Sequence, residues 1–225
     1  MPRPDSTRTR SRSRLASAAT RPRREKPDRT GRTVRPDRSP TLGEPDFGTG
    51  KLPLPVKDAP GFLVNAVLAP YMLEAMQCVD EGIMPETIDE AMKVFGMPMG
   101  PLELADTVGL DIAAAAGRQL SGSASMPRCL EAHLSRKELG RKTGRGFYHW
   151  KDGKAIKKEP GTPPAGLAQR LVSPLVSKAQ EQVEHGVVAD ADLADAGVIF
   201  GTGFAPFSGG PLHWERNRSP QINPV

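Results

Sequence analysis

Cysteine is almost missing from this 225-residue chain, in which Cys78 and Cys129 are the only two. They are too few and too isolated for a disulfide framework or a zinc site, and a reducing compartment suits both. Cys78, beside Val79 in an apolar stretch, reads as a small packed hydrophobe. No run approaches the roughly 18 apolar residues that a membrane crossing needs, and no secretory apolar segment follows the start. The chain therefore reads as soluble and cytoplasmic. It has no Gly-x-Gly-x-x-Gly turn between a strand and a helix. Gly140, Gly144 and Gly146 are wrongly spaced for one, and Gly201 and Gly203 are followed by Pro206 where the third glycine belongs. Lys142-Thr143 lacks the upstream glycines of a phosphate-binding loop. No cofactor and no metal are expected to be held by this chain's own residues.

Aromatic residues make up only 5% of the chain, and the first 45 residues hold none. Positive charge is concentrated in that same stretch. Residues 1–40 carry 13 Lys or Arg against 4 Asp or Glu, while the remainder carries 18 against 22, so the net charge of +5 belongs to the tail. Before Val34, Leu15 is the only large aliphatic residue. Such a segment cannot offset its ordering entropy by burying apolar surface, and residues 1–50 read as a disordered Arg- and Pro-rich tail. Arg-rich segments bind nucleic acid or anionic surfaces by counterion release, but this one has no aromatic side chain to stack on bases. A transit peptide would present an amphipathic apolar face, and early prolines work against that here. A solvated tail is the simplest reading. Unrelated sequence fused to a truncated gene is the alternative.

Periodic sequence begins at Lys51. KLPLPV (Lys51 to Val56) reads as an extended edge piece, and Asp58 is a candidate cap for a helix from about Gly61 to Glu81. Along that helix Val64, Val67, Leu68, Tyr71, Ala75 and Val79 recur at the three-and-four spacing of one buried face. Pro70 predicts a kink rather than an end, because the spacing continues in phase beyond it, and Gly82 terminates the helix. Asn65 stands among these apolar residues. A buried amide without partners costs about 1–3 kcal/mol, so Asn65 is either satisfied by nearby backbone or held ready for a ligand. A second helix runs from Pro85 to Gly96. The corner Met97, Pro98, Met99, Gly100 and Pro101 then redirects the chain into a helix from Leu102 to Val108. Ile112 to Leu120 and Arg128 to Leu139 predict two further helices, and Asp152-Gly153 predicts a hairpin turn. After a Gly and Pro linker (Gly161 to Gly166) a helical pattern returns from Ala168 to His185. The pair Pro70 and Gly82 recurs as Pro174 and Gly186, about 104 residues on, and Phe95-Gly96 recurs as Phe200-Gly201. A duplicated helical unit packed on its twin is the simplest architecture. The last residues, ERNRSPQINPV, do not predict a final helix.

Three blocks carry a resemblance to a known family. VKDAPGFLVN through FGMPMGPLELADTVGLD, GRKTGRGFYHW, and FGTGFAPFSGGPLHW are similar, in that order, to the C-terminal portion of the NAD-dependent L-3-hydroxyacyl-CoA dehydrogenases of the multifunctional fatty-acid oxidation type. The resemblance implies an all-α fold of two tandem related units, 6-phosphogluconate dehydrogenase C-terminal-like, with a small β-hairpin between them. The first unit would span residues 51–160 and a degenerate, truncated second unit residues 161–225. It implies that Asn65 corresponds to the asparagine that orients substrate beside a catalytic histidine, and that Met97, Pro98, Met99, Gly100 and Pro101 line the acyl and pantetheine path. From the residues alone that corner is equally a rigid turn packed by methionines. Ala66 and Ser208 stand where the family usually has arginine. The family's histidine base and its glutamate have no counterpart here, and His133, His149, His185 and His213 read as surface or structural histidines. The resemblance thus implies the substrate-binding and dimerisation part of an acyl-CoA-processing dehydrogenase of fatty-acid β-oxidation, inactive alone. NAD is implied for the complete enzyme. The implied partners are a nucleotide-binding domain in trans, a full-length homologue or a second copy of the chain. A non-catalytic assembly module and a weak nucleic-acid binder are the alternatives.

Overall fold

The structure is a computed structural model that describes residues 53–120 and 125–218; the tail expected at residues 1–50 lies outside them. Among the described residues the fold is helical with one small hairpin. The helices are α1 (Val64–Asp80), α2 (Pro85–Phe95), α3 (Pro101–Val108), α4 (Leu110–Leu120), α5 (Arg128–Ser135), α6 (Leu167–Glu184), α7 (Ala191–Thr202) and α8 (Pro211–Arg218). The hairpin pairs β1 (His149–Lys151) with β2 (Lys154–Ile156) in antiparallel register, Lys151 opposite Lys154. Asp152 and Gly153, both at positive φ, make the tight turn that the sequence predicts.

The centre of the fold is the packing of α1 against α6. Val67, Tyr71 and Ala75 of one helix and Leu171, Leu175 and Ala179 of the other are completely buried, in a single apolar cluster that also takes in Ile88, Leu102, Leu110, Leu130 and Phe204. Both helices run through their proline without breaking, and each ends in the same way. At Gly82 the amides of Gly82 and Ile83 reach back to the carbonyls of Val79 and Cys78; at Gly186 those of Gly186 and Val187 reach Val183 and Gln182. A left-handed glycine that closes six-to-one and five-to-two bonds satisfies the last carbonyls of a helix. The 104-residue repeat is therefore repeated in backbone geometry as well as in sequence.

Several boundaries differ from expectation. Asp58 does not cap α1. The chain enters through Gly61 and Phe62, both at positive φ, and the carbonyl of Gly61 accepts from the amides of Asn65 (3.2 Å) and Ala66 (3.3 Å), so a backbone turn does what a side chain was expected to do. Helix α5 stops at Ser135 because Lys137 turns to φ 57° and brings Glu138 back onto His133, 2.8 Å away. The Phe-Gly repeat is out of register. Gly201 remains inside α7, and the left-handed terminating residue is Gly203, the counterpart of Gly96. Helix α8 continues to Arg218, four residues beyond Trp214, with Glu215 and Arg218 paired at 2.9 Å on one face.

Ala75 and Ala179 occupy equivalent places in the two central helices, and their small size permits close approach. Replacing either by leucine should cost about 1–3 kcal/mol through overpacking. Urea unfolding measures this, and an unchanged midpoint for both variants would contradict the close packing of α1 on α6.

Candidate functional site

Four aspartates tie separate elements together. Helix α3 begins at Pro101 behind Gly100 and has no side-chain cap of its own. Its first free amides, on Leu102 and Glu103, donate instead to the carboxylate of Asp89 on α2, at 2.9 and 3.0 Å. The same carboxylate accepts from the Tyr148 hydroxyl at 2.7 Å and from Lys157 at 3.3 Å. Gly100 is required here, because a Cβ at that position would collide with the Asp89 side chain. Asp106, fully buried on α3, accepts from the amides of Phe147 and Tyr148, both at 3.0 Å, and from the Trp150 indole at 2.9 Å. Gly140 and Gly146 pass so close to Asp106 that a Cβ on either would overlap it. The glycines of GRKTGRGFYHW thus let a loop wrap a buried carboxylate.

The arrangement recurs twice. Asp195 on α7 accepts from the amides of Leu212 (2.7 Å) and His213 (3.0 Å) at the start of α8, and Gly210 is the glycine that makes room for it. Asp80 at the end of α1 accepts from Arg128 (2.6 Å) and Cys129 (2.8 Å) at the start of α5. An anion at a helix N-terminus satisfies orphan amides and opposes the helix dipole favourably.

Burial pushes the carboxyls of Asp89, Asp106 and Asp195 above the usual carboxylate range, against the pull of their hydrogen bonds. Burial, with the Asp89 charge beside it, drives the Tyr148 phenol far up. Desolvation works against the Lys157 ammonium, yet Glu103 at 2.6 Å and Asp89 hold it charged. The Cys129 thiol, half-buried and facing Asp80, is pushed up to about 12, which removes it as a nucleophile. Both oxygens of Asp89 and of Asp106 are occupied by donors. These carboxylates build a framework and are not free to act as bases.

The residues singled out from sequence lie elsewhere. Asn65 is exposed in the first turn of α1, not on its buried face. Met97, Gly100 and Pro101 are buried, Met99 is half-buried and Pro98 is exposed, so most of the corner is packed inside the fold. The two pieces flank the end of α7, where Gly201 abuts Val64 and Gly203 abuts Pro98. Phe62 and Phe200, next in sequence to Leu63 and Gly201, are 51% and 78% accessible. His133 is held by Glu138 and packs edge-on against Phe147, whereas His149, His185 and His213 are exposed. Among the described residues no group of three His, Cys, Asp or Glu side chains is placed to hold a metal ion, and no helix is long and apolar enough to cross a membrane.

Residues 61–150 match the sequence profile of the 3-hydroxyacyl-CoA dehydrogenase C-terminal domain. Through that segment, less than half of its length, the chain is similar to this family. Similar curated proteins include the fatty acid oxidation complex subunit alpha of Shewanella baltica (strain OS185), 38% identical over 183 residues, which are 73% of this chain and 26% of that protein. The subunit of the same name from Shewanella oneidensis is 37% identical over 184 residues, with the same coverage. The chain thus spans about a quarter of the length of these relatives. The 3-hydroxybutyryl-CoA dehydrogenase of Escherichia coli K12 superposes with a TM-score of 0.61 at 20% identity, over 75% of this chain and 55% of that one, a likeness of fold. In this helical domain the buried aspartates went unnoticed in the sequence because acids on helices ordinarily face water. The available signal was an Asp set 11 or 15 residues before a Gly-Pro helix start, Asp89 before Gly100-Pro101 and Asp195 before Gly210-Pro211.

Asp89→Ala should destabilise the domain by at least about 3 kcal/mol, since it orphans two amides and a buried phenol at once. Asp195→Ala, which releases only two amides, should cost about 1–2 kcal/mol; equal losses in denaturant titrations would refute this ranking. Tyr71 is the opposite case. Its buried hydroxyl has no partner among the described residues, so Tyr71→Phe should leave the melting temperature unchanged or raise it, and a drop of several degrees would reveal a hidden partner.

Proposed function

We propose that this chain serves as the substrate-binding and dimerisation part of an NAD-dependent 3-hydroxyacyl-CoA dehydrogenase of fatty-acid β-oxidation, working in the cytoplasm. In this reading residues 51–160 and 161–225 are two related units. The redox half, with its NAD and its catalytic base, is contributed by a nucleotide-binding domain that docks on the face around Asn65. The observation that carries the reading is the position of Asn65, which stands in the family-matched segment, exposed in the first turn of α1. A primary amide donates to an alcohol oxygen and to a ketone oxygen alike without changing charge. That suits it to hold a 3-hydroxyacyl group while hydride leaves the carbon and a base elsewhere takes the hydroxyl proton. The Met97 to Pro101 corner, on the other side of the α7 end, would border the acyl chain. The accessible Phe62 and Phe200 equally suit a role in assembly, as apolar side chains available to a partner.

Two measurements test this. The purified chain alone should show no NAD reduction with a 3-hydroxyacyl-CoA, and addition of a separately expressed nucleotide-binding domain of a homologous dehydrogenase should restore weak turnover that Asn65→Ala removes. Turnover by the isolated chain, or calorimetry showing no association between the two pieces, would overturn the proposal.

A further inference from the structure

The repeat creates a second junction equivalent to the one beside Asn65. At the first junction, Gly197 and Gly201 of α7 lie against Leu63 and Val64 at the start of α1. The 104-residue offset relates Leu63, Val64 and Asn65 to Leu167, Ala168 and Gln169 at the start of α6. These line one cleft with Ala91 and Phe95 of α2, which follow Asp89 by the same two and six residues by which Gly197 and Gly201 follow Asp195. The glycines let one junction close tightly. With larger side chains, and with Pro163 and Pro164 as an outer wall, the other keeps a cavity of about 580 Å³, within the roughly 300–1,000 Å³ usual for small-ligand sites.

The walls are apolar and stiff. Phe95 meets Trp214 edge to face at 5.5 Å and Phe204 at 5.6 Å, and Leu167 lies at the base. Val94, 80% accessible, sits at the mouth. The described lining carries one cation, Arg218, whose guanidinium lies 4.9 Å from the centre of the Trp214 ring and pairs with Glu215 at 2.9 Å. Its one anion, Glu90, is engaged by Lys93 at 3.2 Å. An apolar cleft with one arginine in its lining is complementary to an aliphatic chain that ends in a negative charge.

We propose that this cavity is a second ligand site, separate from the surface around Asn65, for a medium-length aliphatic carboxylate. The chain would run along Phe95, Leu167 and Trp214, and the carboxylate would pair with Arg218. The proposal does not rest on the dehydrogenase reading.

Trp150 and Trp214 are the only tryptophans in the chain, so a heavy-atom quencher reports which is approached. Titration of the full chain with 12-bromododecanoate below its micelle concentration should quench Trp214 saturably. In Trp214→Phe, where Trp150 alone emits, the quenching should vanish. Val94→Asp puts a like charge at the accessible mouth without disturbing the core and should weaken binding at least tenfold, and Arg218→Met should weaken it several-fold. Asn65→Ala should leave it unchanged, which separates this site from the one proposed for turnover. Absence of saturable quenching in the wild type, quenching that persists in Trp214→Phe, or full affinity in Val94→Asp would each overturn the proposal.

Discussion

A carboxylate from one helix satisfying the first amides of another, distant in sequence, is the interaction on which this fold depends. Short helices such as α3, α5 and α8, eight residues each, are marginal by themselves because nucleation costs more than a few hydrogen bonds return. None has a capping side chain of its own at the start. Asp89, Asp80 and Asp195 supply the missing acceptor across 13, 48 and 17 residues of sequence. Each such bond does two jobs, stabilising a helix end and fixing how two helices meet. Asp106 extends the principle to a loop, gathering three donors from the segment that leads into the hairpin.

The features that recur about 104 residues apart are those of the backbone rather than of the side chains. The proline in the central helix, the left-handed glycine after it and the aspartate under a Gly-Pro helix start are all retained. These are the features that backbone geometry demands. Side chains at the junctions have diverged. Gly197 and Gly201 permit a tight contact at the start of α1, whereas Ala91 and Phe95 line a cleft beside the start of α6.

How far the sequence was legible follows from which forces are local. The helices α1, α2 and α6 and the Asp152-Gly153 turn were readable because apolar periodicity, proline and glycine act within a few residues. The failures are the non-local cases. Asp58 looked like a cap by position, but the Gly61 carbonyl filled that role. Asn65 looked buried because its neighbours are apolar, yet its own angular position on α1 turns it outward. Asp89 and Asp106 resembled solvated helix acids, and only the third dimension brings Tyr148, Lys157 and Trp150 to them. The packing of the Met97 to Pro101 corner against Asp89 and the end of α7 could not be inferred from its own residues.

Long-range capping also bears on the order in which the molecule assembles. The amides at the start of α5 have no acceptor until the chain end of α1, 48 residues upstream, is in place, and α8 likewise waits for α7. Loop closure over such separations is slow relative to helix growth. The long central pair should therefore form and collapse first, with the short helices condensing onto it in a late, cooperative step rather than existing beforehand as preformed pieces.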